Sequence, residues 1–275
     1  MKFSVLISLY HKESPFNLIQ CLNSLEQQTL KADEIVIVFD GPIGSELTSV
    51  VDEYIHVLNI KVKKLNMNVG LGNALNYGLK FCTNRLVARM DTDDICLPNR
   101  FERQINFFKV NDNVALLGTS IIEFDDSGGE YIKSLPCDPK SIRDFSRYKN
   151  PFNHMTVMFD KHCIDNVGGY QDHYYMEDYN LWLRLISKNY YVTNLSEVLV
   201  KARVGRDMLV RRRGIKYIKS ECKLLKIKID LGITTIIPSI FIFILRVLPR
   251  IAPIWFLKFL YHKDRSKNLA KGTNE

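Results

Sequence analysis

The sequence has no pair of cysteines at C-x-x-C spacing, and its six cysteines are scattered singly through 275 residues. It also lacks a convincing secretory signal, because the apolar run at residues 3–9 is short and His11, Lys12 and Glu13 follow it at once. A disulfide framework is therefore not indicated, and each thiol is expected to be a small buried hydrophobe. We expect a protein of the reducing cytoplasm.

No apolar run reaches the roughly 20 residues that a bilayer-spanning helix needs. The longest candidate, Leu231–Leu245, has 15 uncharged residues, contains Pro238 and is followed by Arg246 and Pro249. We therefore expect residues 211–275 to be a basic and apolar helical appendage that lies at a membrane surface as an interfacial or re-entrant anchor. A helical hairpin packed on the protein's own core is the alternative.

Basic residues are scarce outside the C-terminal quarter. Residues 201–275 hold 18 Lys and Arg against 5 Asp and Glu, although the whole chain carries a net charge of only +8. A nucleic-acid binder would carry its basic side chains around its site, so nucleic acid is not an expected partner. A basic tail next to an apolar segment favours the anionic inner face of the cytoplasmic membrane, where we expect peripheral association.

Residues 1–210 are predicted to form an α/β domain. Apolar strands alternate with helical patterns in units of about 25 to 30 residues, which is typical of a mostly parallel sheet flanked by helices. The predicted strands are Phe3–Leu9, Glu34–Phe39, Ile60–Leu65, Leu86–Met90, Val114–Phe124, His154–Phe159, Tyr190–Leu195 and Val198–Ala202. Ligands bind such sheets at the carboxyl ends of the strands, so the segments after the first four strands are expected to meet at one crevice.

The most acidic of these strand ends is Arg89–Asp94, which reads Arg-Met-Asp-Thr-Asp-Asp. Asp91 and Asp93 leave the strand on the same side, because side chains in an extended segment alternate. Two unit charges ~4 Å apart repel by roughly 4 kcal/mol at an effective dielectric of 20. The cluster therefore needs a cation, a proton or open solvent, and a hard divalent metal or a solvated acidic turn would each satisfy it.

A second acidic pair, Glu177-Asp178, begins a helix marked by apolar residues at 181, 182 and 185. Carboxylates at this position are favoured by the helix macrodipole, which offers a purely structural explanation. Catalysis is the other explanation.

Five segments, in this order and at these separations, resemble the family 2 inverting glycosyltransferases, which have the GT-A nucleotide-diphospho-sugar transferase fold. The segments are Ser4–Tyr10, Asp40-Gly41, Asn68–Gly78, Ala88–Asp94 with Pro98 and Arg100, and Gly168–Tyr170 followed by Met176–Trp182. The resemblance extends over roughly residues 2–215.

The resemblance implies a role for each strand end. Asp40 is the expected partner of the uracil ring, with Leu9, Tyr10 and Glu13 beside base and ribose. The other expected donor-binding residues are Asn68, Gly70, Arg89, Asp91, Thr92 and Asp93. Asp91 and Asp93 are expected to hold Mn²⁺ or Mg²⁺, which suits hard-cation chemistry, and Asp94 to support them.

The resemblance also assigns the chemistry. Asp178 is the expected general base, with Glu177 as the alternative, and Asn180 departs from the Asp that the family carries there. His154, Trp182, Arg211 and Arg212 are expected near the acceptor, with a purely structural histidine as the alternative for His154.

The predicted function is transfer of a hexose, glucose or galactose, from a UDP-sugar to a glycan on a polyprenyl diphosphate, as in the assembly of O-antigen or capsule. A nucleotidyltransferase and a non-catalytic nucleotide-sugar-binding protein are the alternatives. The Glu177-Asp178 pair favours the enzyme, because a sensor would not need it.

Overall fold

The computed structural model describes residues 1–125, 128–205 and 214–251. Arg211, Arg212 and the expected domain boundary after residue 210 lie outside these ranges. The predicted α/β architecture is confirmed, with helices on both faces of one nine-stranded sheet.

Strands and helices alternate strictly in the first part of the chain. The elements are β1 (Phe3–Leu9), α1 (Pro15–Glu26), β2 (Glu34–Phe39), α2 (Ser45–Tyr54), β3 (Ile60–Lys64), α3 (Leu71–Leu79) and β4 (Leu86–Met90). The four strands pair in parallel in the order β3-β2-β1-β4. Their carboxyl ends therefore meet at one edge of the sheet, as the sequence predicts.

The second part of the chain turns the sheet from parallel to mixed. Its elements are β5 (Ile95–Cys96), α4 (Arg100–Val110), β6 (Val114–Phe124), β7 (Glu130–Lys133), α5 (Pro139–Phe145), a 3₁₀ helix (His154–Thr156), β8 (Met158–Asp160), α6 (Lys161–Asn166), α7 (Glu177–Ser187) and β9 (Tyr191–Arg203). β8 lies antiparallel between β4 and β6, β9 runs parallel to β6, β5 pairs antiparallel with β9, and β7 pairs antiparallel with β6.

Two local predictions are wrong. The segment predicted as one strand at 154–159 is a 3₁₀ turn followed by β8, because the side chain of Thr156 bonds to the carbonyl of Asn153 at 2.8 Å and closes the turn. The two predicted closing strands are one strand, β9. Its register against β6 moves from Leu195 opposite Thr119 to Val198 opposite Ser120, so an irregularity absorbs the polar residues between them.

The sheet is buried on both faces. Leu6, Val36 and Val87 face the layer that contains α3 and α7, whereas Val5, Ile35 and Ala88 face the layer that contains α1, α2 and α4. This double burial explains why the central strands are continuously apolar rather than alternating.

The C-terminal part folds as a helical hairpin of α8 (Ile215–Asp230) and α9 (Ile236–Ile251). Pro238 does not break α9, because it lies in the first turn, where a backbone N–H is not needed. Arg246 does not interrupt the helix either; it forms a two-pronged ion pair with Glu221 of α8, at 2.7 and 2.9 Å. Within the described ranges, no helix is both long enough and apolar enough to span a bilayer.

Gly78 allows α3 to pack closely on the sheet. A Cβ atom there would lie 2.5 Å from Leu6 Cδ1 and 2.6 Å from Val38 Cγ2, both fully buried. Gly78→Ala should lower the free energy of unfolding by about 1–2 kcal/mol, because overpacking outweighs the gain in helix propensity of up to ~1 kcal/mol.

Urea denaturation measures this effect, and Gly205→Ala is the matched control, because a Cβ atom at Gly205 meets nothing within 4 Å. Equal stabilities of the two variants would contradict the packing argument.

Candidate active site at the strand ends

Three carboxylates crowd the end of β4. Ligand atoms of Asp91, Asp93 and Asp94 all lie within 4.8 Å of one another. Asp94 is buried; its Oδ1 accepts the backbone N–H of Arg203 at 2.8 Å, while its buried Oδ2 has no hydrogen-bond partner among the described residues. Asp91 forms an ion pair with Arg89, which is 1% exposed.

One guanidinium does not balance this cluster. Burial, followed by the charges of Asp91 and Glu13, raises the pKa of Asp93 to about 7. Burial and the charges of Asp91 and Asp93 also raise the pKa of Asp94. A divalent cation bound by oxygen ligands would remove the repulsion and satisfy the open oxygen of Asp94, so the residues present fit Mn²⁺ or Mg²⁺.

The loop after β1 is joined to this cluster. The hydroxyl of Thr92 donates a hydrogen bond of 2.5 Å to Glu13 Oε2, and Glu13 Oε1 accepts the N–H of Ser14 at 2.8 Å. Tyr10 makes an edge contact with the ring of His11 in the same loop. Leu9 is fully buried in the core and its carbonyl accepts the N–H of Asp40 at 2.8 Å, so it joins the ends of β1 and β2 and does not line the crevice. Glu13 thus holds Thr92 in place.

Asp40, at the end of β2, organises the loop before α3. Its Oδ1 accepts the N–H of Val69 at 2.7 Å, and its Oδ2 accepts the N–H of Gly70 at 3.1 Å and the side-chain amide of Asn68 at 2.9 Å. The next residue, Gly41, has a positive φ of 90°, and a Cβ atom there would lie 2.6 Å from the backbone N of Asn68. Glycine is therefore required for the close approach of the two loops.

The predicted acidic pair begins α7 and faces α3. A Cβ atom at Gly72 would lie 3.2 Å from the Cβ of Glu177, so a glycine in α3 gives Glu177 its space. Burial, followed by the charge of Asp178, raises the pKa of Glu177 to about 7. The carboxylate of Asp178 accepts the N–H of Tyr179 and the side-chain amide of Asn150, each at 2.6 Å, which fixes its orientation.

His154 lies between the β4 end and α7. Its Nε2 is 2.8 Å from the hydroxyl of Tyr170, and its ring contacts the edge of Trp182. Burial and the charge of Arg89 lower the pKa of His154 well below its usual value, so the imidazole is neutral. Trp182 is 0% exposed and packs on Phe152. It therefore supports the buried side of the His154 ring and does not line the crevice.

Asn180, where the family carries Asp, is a fully buried structural residue. Its side-chain oxygen accepts a hydrogen bond of 2.9 Å from Arg184 Nε, and its amide approaches His173 Nδ1 at 3.4 Å. Arg184 in turn donates to the carbonyls of Val167 and Gly169. The departure from the family pattern therefore affects the support of the Gly168-Gly169 turn.

Sequence reasoning missed three residues that shape the site. Asn150 bonds Asp178, the backbone of Arg203 bonds Asp94, and Asn76 pins Tyr170 through bonds of 2.5 and 2.8 Å to its backbone. Each bond joins residues at least 28 positions apart, so no local pattern marks them. Of these residues, Asn76 alone lies in a segment that carries the family resemblance, the glycine-rich one at 68–78.

Comparisons with known proteins place this geometry in a family. The family model described as Glycosyl transferase family 2 matches residues 4–164. The amylovoran biosynthesis glycosyltransferase AmsE of Erwinia amylovora is 52% identical over 263 residues, which cover 96% of this chain and 99% of that protein. The UDP-Gal:alpha-D-GlcNAc-diphosphoundecaprenol beta-1,3-galactosyltransferase of Escherichia coli is 39% identical, with 95% and 96% covered.

Solved structures share the fold at low sequence identity. S. aureus TarS gives a TM-score of 0.67 at 18% identity; the match covers 91% of this chain and 43% of that one. The mannosyltransferase PcManGT from Pyrobaculum calidifontis, solved with GDP-Man and Mn²⁺, gives 0.63 at 16% identity, with 82% and 64% covered. The predicted GT-A fold is thereby confirmed.

The raised pKa of Asp93 predicts how stability depends on pH. Without a divalent cation, the free energy of unfolding should fall as pH rises from about 4 to about 7, because native Asp93 holds its proton more tightly than the unfolded chain does. Asp93→Asn should remove the part of this loss that Asp93 contributes, at most about 4 kcal/mol, while Asp94 and Glu177, whose pKa values are also raised, keep theirs. Urea denaturation in EDTA across this range measures it.

Two comparisons complete this experiment. The exposed Asp52 of α2 supplies the control, because Asp52→Asn should leave the pH profile unchanged. Mn²⁺ should stabilise the wild-type protein more above pH ~7 than below it, since the ion competes with the proton. A profile of Asp93→Asn identical to that of the wild type would contradict the assignment.

Proposed function

Because this chain belongs to glycosyl transferase family 2, we propose that it transfers a hexose from a UDP-sugar to a lipid-diphosphate-linked glycan with inversion at the anomeric carbon. The single observation that carries the proposal is that Glu177, next to Asp178, lies within electrostatic reach of the Asp91–Asp94 cluster: after burial and Asp178, the charges of Arg89 and Asp91 act on its pKa. The relatives support the same reaction class, since one of them is named for amylovoran biosynthesis and another for a UDP-Gal donor and a diphosphoundecaprenol acceptor.

The donor would occupy the ends of β1, β2 and β4. The loop at 68–70, held by Asp40, brings backbone close to the nucleotide, and Gly70 has no Cβ atom to obstruct it. Because Asp40 already accepts three hydrogen bonds from this loop, its part in donor binding is both to shape the loop and to offer its remaining acceptor capacity to the base. Tyr10 and Glu13, in the loop after β1, are assigned to the same donor site.

Asp91 and Asp93 would hold the divalent cation, and Asp94 is positioned to add a third carboxylate. When bound, the cation would stabilise the negative charge that develops on the leaving diphosphate. Arg89 fixes the direction of the Asp91 carboxylate through their ion pair.

Asp178 would take the proton from the acceptor hydroxyl as that oxygen attacks the anomeric carbon from the side opposite the leaving group. Its two hydrogen bonds, from Tyr179 and Asn150, hold the carboxylate in one orientation. Glu177 is the alternative base, and burial, followed by the charge of Asp178, raises its pKa to about 7. Neutral His154 is assigned to the acceptor side, together with Arg211 and Arg212.

The donor and the stereochemistry can be tested together. The full chain is incubated with Mn²⁺, an N-acetylhexosamine-diphosphate-lipid and, in turn, UDP-glucose, UDP-galactose and their N-acetyl counterparts. We expect transfer from one UDP-hexose, a β-linked product by NMR, and loss of transfer in EDTA. An α-linked product would contradict inversion, and UDP release without a glycosylated lipid would contradict the acceptor class.

Substitutions distinguish the catalytic roles of the two carboxylates that begin α7. Asp178→Asn should lower kcat by about 10²- to 10⁴-fold, the range for loss of a general base, while UDP binding measured by calorimetry stays unchanged. Asn150→Ala should lower kcat by about tenfold through loss of orientation. Glu177→Gln is the matched control; a larger loss in this variant than in Asp178→Asn would reverse the assignment.

A further inference from the structure

We propose that the outer side of α9 is a docking surface for an anionic lipid bilayer, which holds the crevice next to a membrane-borne acceptor. The proposal rests on the proposed function for the identity of the acceptor, but its structural basis is separate. That basis is an apolar face on α9, the basic charge of the hairpin, and the polar bonds that join the hairpin to α7.

The α9 apolar face consists of large side chains that are each at least 46% exposed. They are Ile236, Ile237, Ile240, Phe241, Ile244, Leu245 and Leu248. Their spacing alternates between one and three residues, so they form one continuous stripe along the helix. Of the large hydrophobic residues found exposed in the described ranges, this helix holds the densest set, and contiguous apolar patches of this kind mark interaction surfaces.

The opposite side of α9 packs against and bonds to the rest of the protein. Ser239 and Ile242 are 2% and 6% exposed, and Arg246 bonds both carboxylate oxygens of Glu221 and the carbonyl of Tyr148. Because these contacts fix the rotation of the helix, the apolar face points away from the domain. No residue of 1–125, 128–205 or 214–248 buries it.

The basic charge of the hairpin favours an anionic bilayer as the partner that binds the α9 apolar face. Residues 214–251 contain seven Lys and Arg and two Asp and Glu; Arg246 and Glu221 neutralise each other and Lys228 is buried, so the surface charge comes from the other basic residues. Lys216, Lys219 and Lys226 of α8 are exposed. An apolar helix face accompanied by lysines is typical of helices that lie in the interface of anionic membranes. A symmetric contact with a second copy would bring two such basic hairpins together, which like-charge repulsion opposes.

The length of α9 favours an orientation parallel to the membrane surface. α9 has 16 residues, so it is about 24 Å long and shorter than the roughly 30 Å hydrocarbon core. The helix is therefore expected to lie in the membrane plane with its apolar face among the acyl chains.

The hairpin is also joined to the proposed catalytic helix. Arg246 and Lys228 lie 5.7 and 4.8 Å from the ring of Tyr179, the residue after Asp178, and Lys228 donates to the carbonyl of Arg147 at 2.8 Å. Tyr179 itself is buried and bonds the carbonyl of Ser146. A bilayer that binds α9 would thereby fix the position of α7, and with it the Glu177-Asp178 pair, relative to the membrane.

The test is sedimentation of the full chain with vesicles of phosphatidylcholine, with and without phosphatidylglycerol, in the absence of any donor or acceptor. We expect binding to the anionic vesicles, weakened by salt. Ile237→Gln with Phe241→Gln should lower the partition coefficient by about tenfold or more, because two large apolar side chains no longer leave water. Lys219→Glu with Lys226→Glu should weaken binding to the anionic vesicles alone.

Val110→Gln is the matched control, because Val110 is 79% exposed at the end of α4 and Ile237 is 83% exposed. It should bind as the wild type does. Circular dichroism checks that every variant is folded, and transfer to a detergent-dissolved acceptor checks the proposed function independently of vesicles.

Two results would overturn the proposal. One is a wild-type chain that stays in the supernatant with anionic vesicles. The other is a dimer, detected by light scattering, that Ile237→Gln with Phe241→Gln converts to a monomer while vesicle binding is unchanged.

Discussion

The constraint on which the rest of the structure depends is the surplus of negative charge at the end of β4. Three carboxylates share a space in which each ligand atom lies within 4.8 Å of the others, and Arg89, whose guanidinium pairs with Asp91, is itself buried. The surrounding bonds serve to hold this arrangement: Thr92 is fixed by Glu13, Asp94 by Arg203, and the carbonyl of Arg89 by Arg100 at 2.7 Å. Carboxylates that repel one another this strongly must bind a cation or a proton. When no cation is bound, the pKa values of the carboxylates are raised, because a bound proton relieves the repulsion.

α3 connects this charged centre to the proposed base. Its entry loop is bonded to Asp40, its Gly72 makes room for Glu177, and its Asn76 bonds the backbone of Tyr170. A single short helix, packed closely on β1 and β2 through Gly78, thus touches both the nucleotide side and the acidic pair. The glycines of this segment have different functions: Gly70 supplies a positive φ, whereas Gly72 and Gly78 supply space.

Sequence reasoning located the first four strands, because double burial leaves a continuous apolar run that ends at a polar turn. It predicted that Asp40, Asp91 and Asp93 follow strands that end at one edge of the sheet, and there family resemblance and strand-end position agree. It could not find Asn150 or the Arg203 backbone, since their partners come from distant parts of the chain, and it divided β9 because an irregularity interrupts the apolar pattern. It also assigned Trp182 to the acceptor region from its motif alone, and burial at 0% gives that residue a supporting position instead.

Arg246 shows why the C-terminal segment required a structure. In the sequence, a cation after 15 uncharged residues ends an apolar run and argues for a short anchor. In the fold, the same cation is paired with Glu221 and stacked near Tyr179, so it occupies the protein side of α9 and leaves the other side uniformly apolar. The alternatives of membrane surface and self-packing are therefore not exclusive, because one helix can offer each environment a different face. Tyr179 contacts the hairpin and directly follows Asp178, so the contact with the hairpin and the proposed base belong to one helical turn. A partner that binds the outer face of α9 is therefore connected, through the hairpin and α7, to the proposed active site.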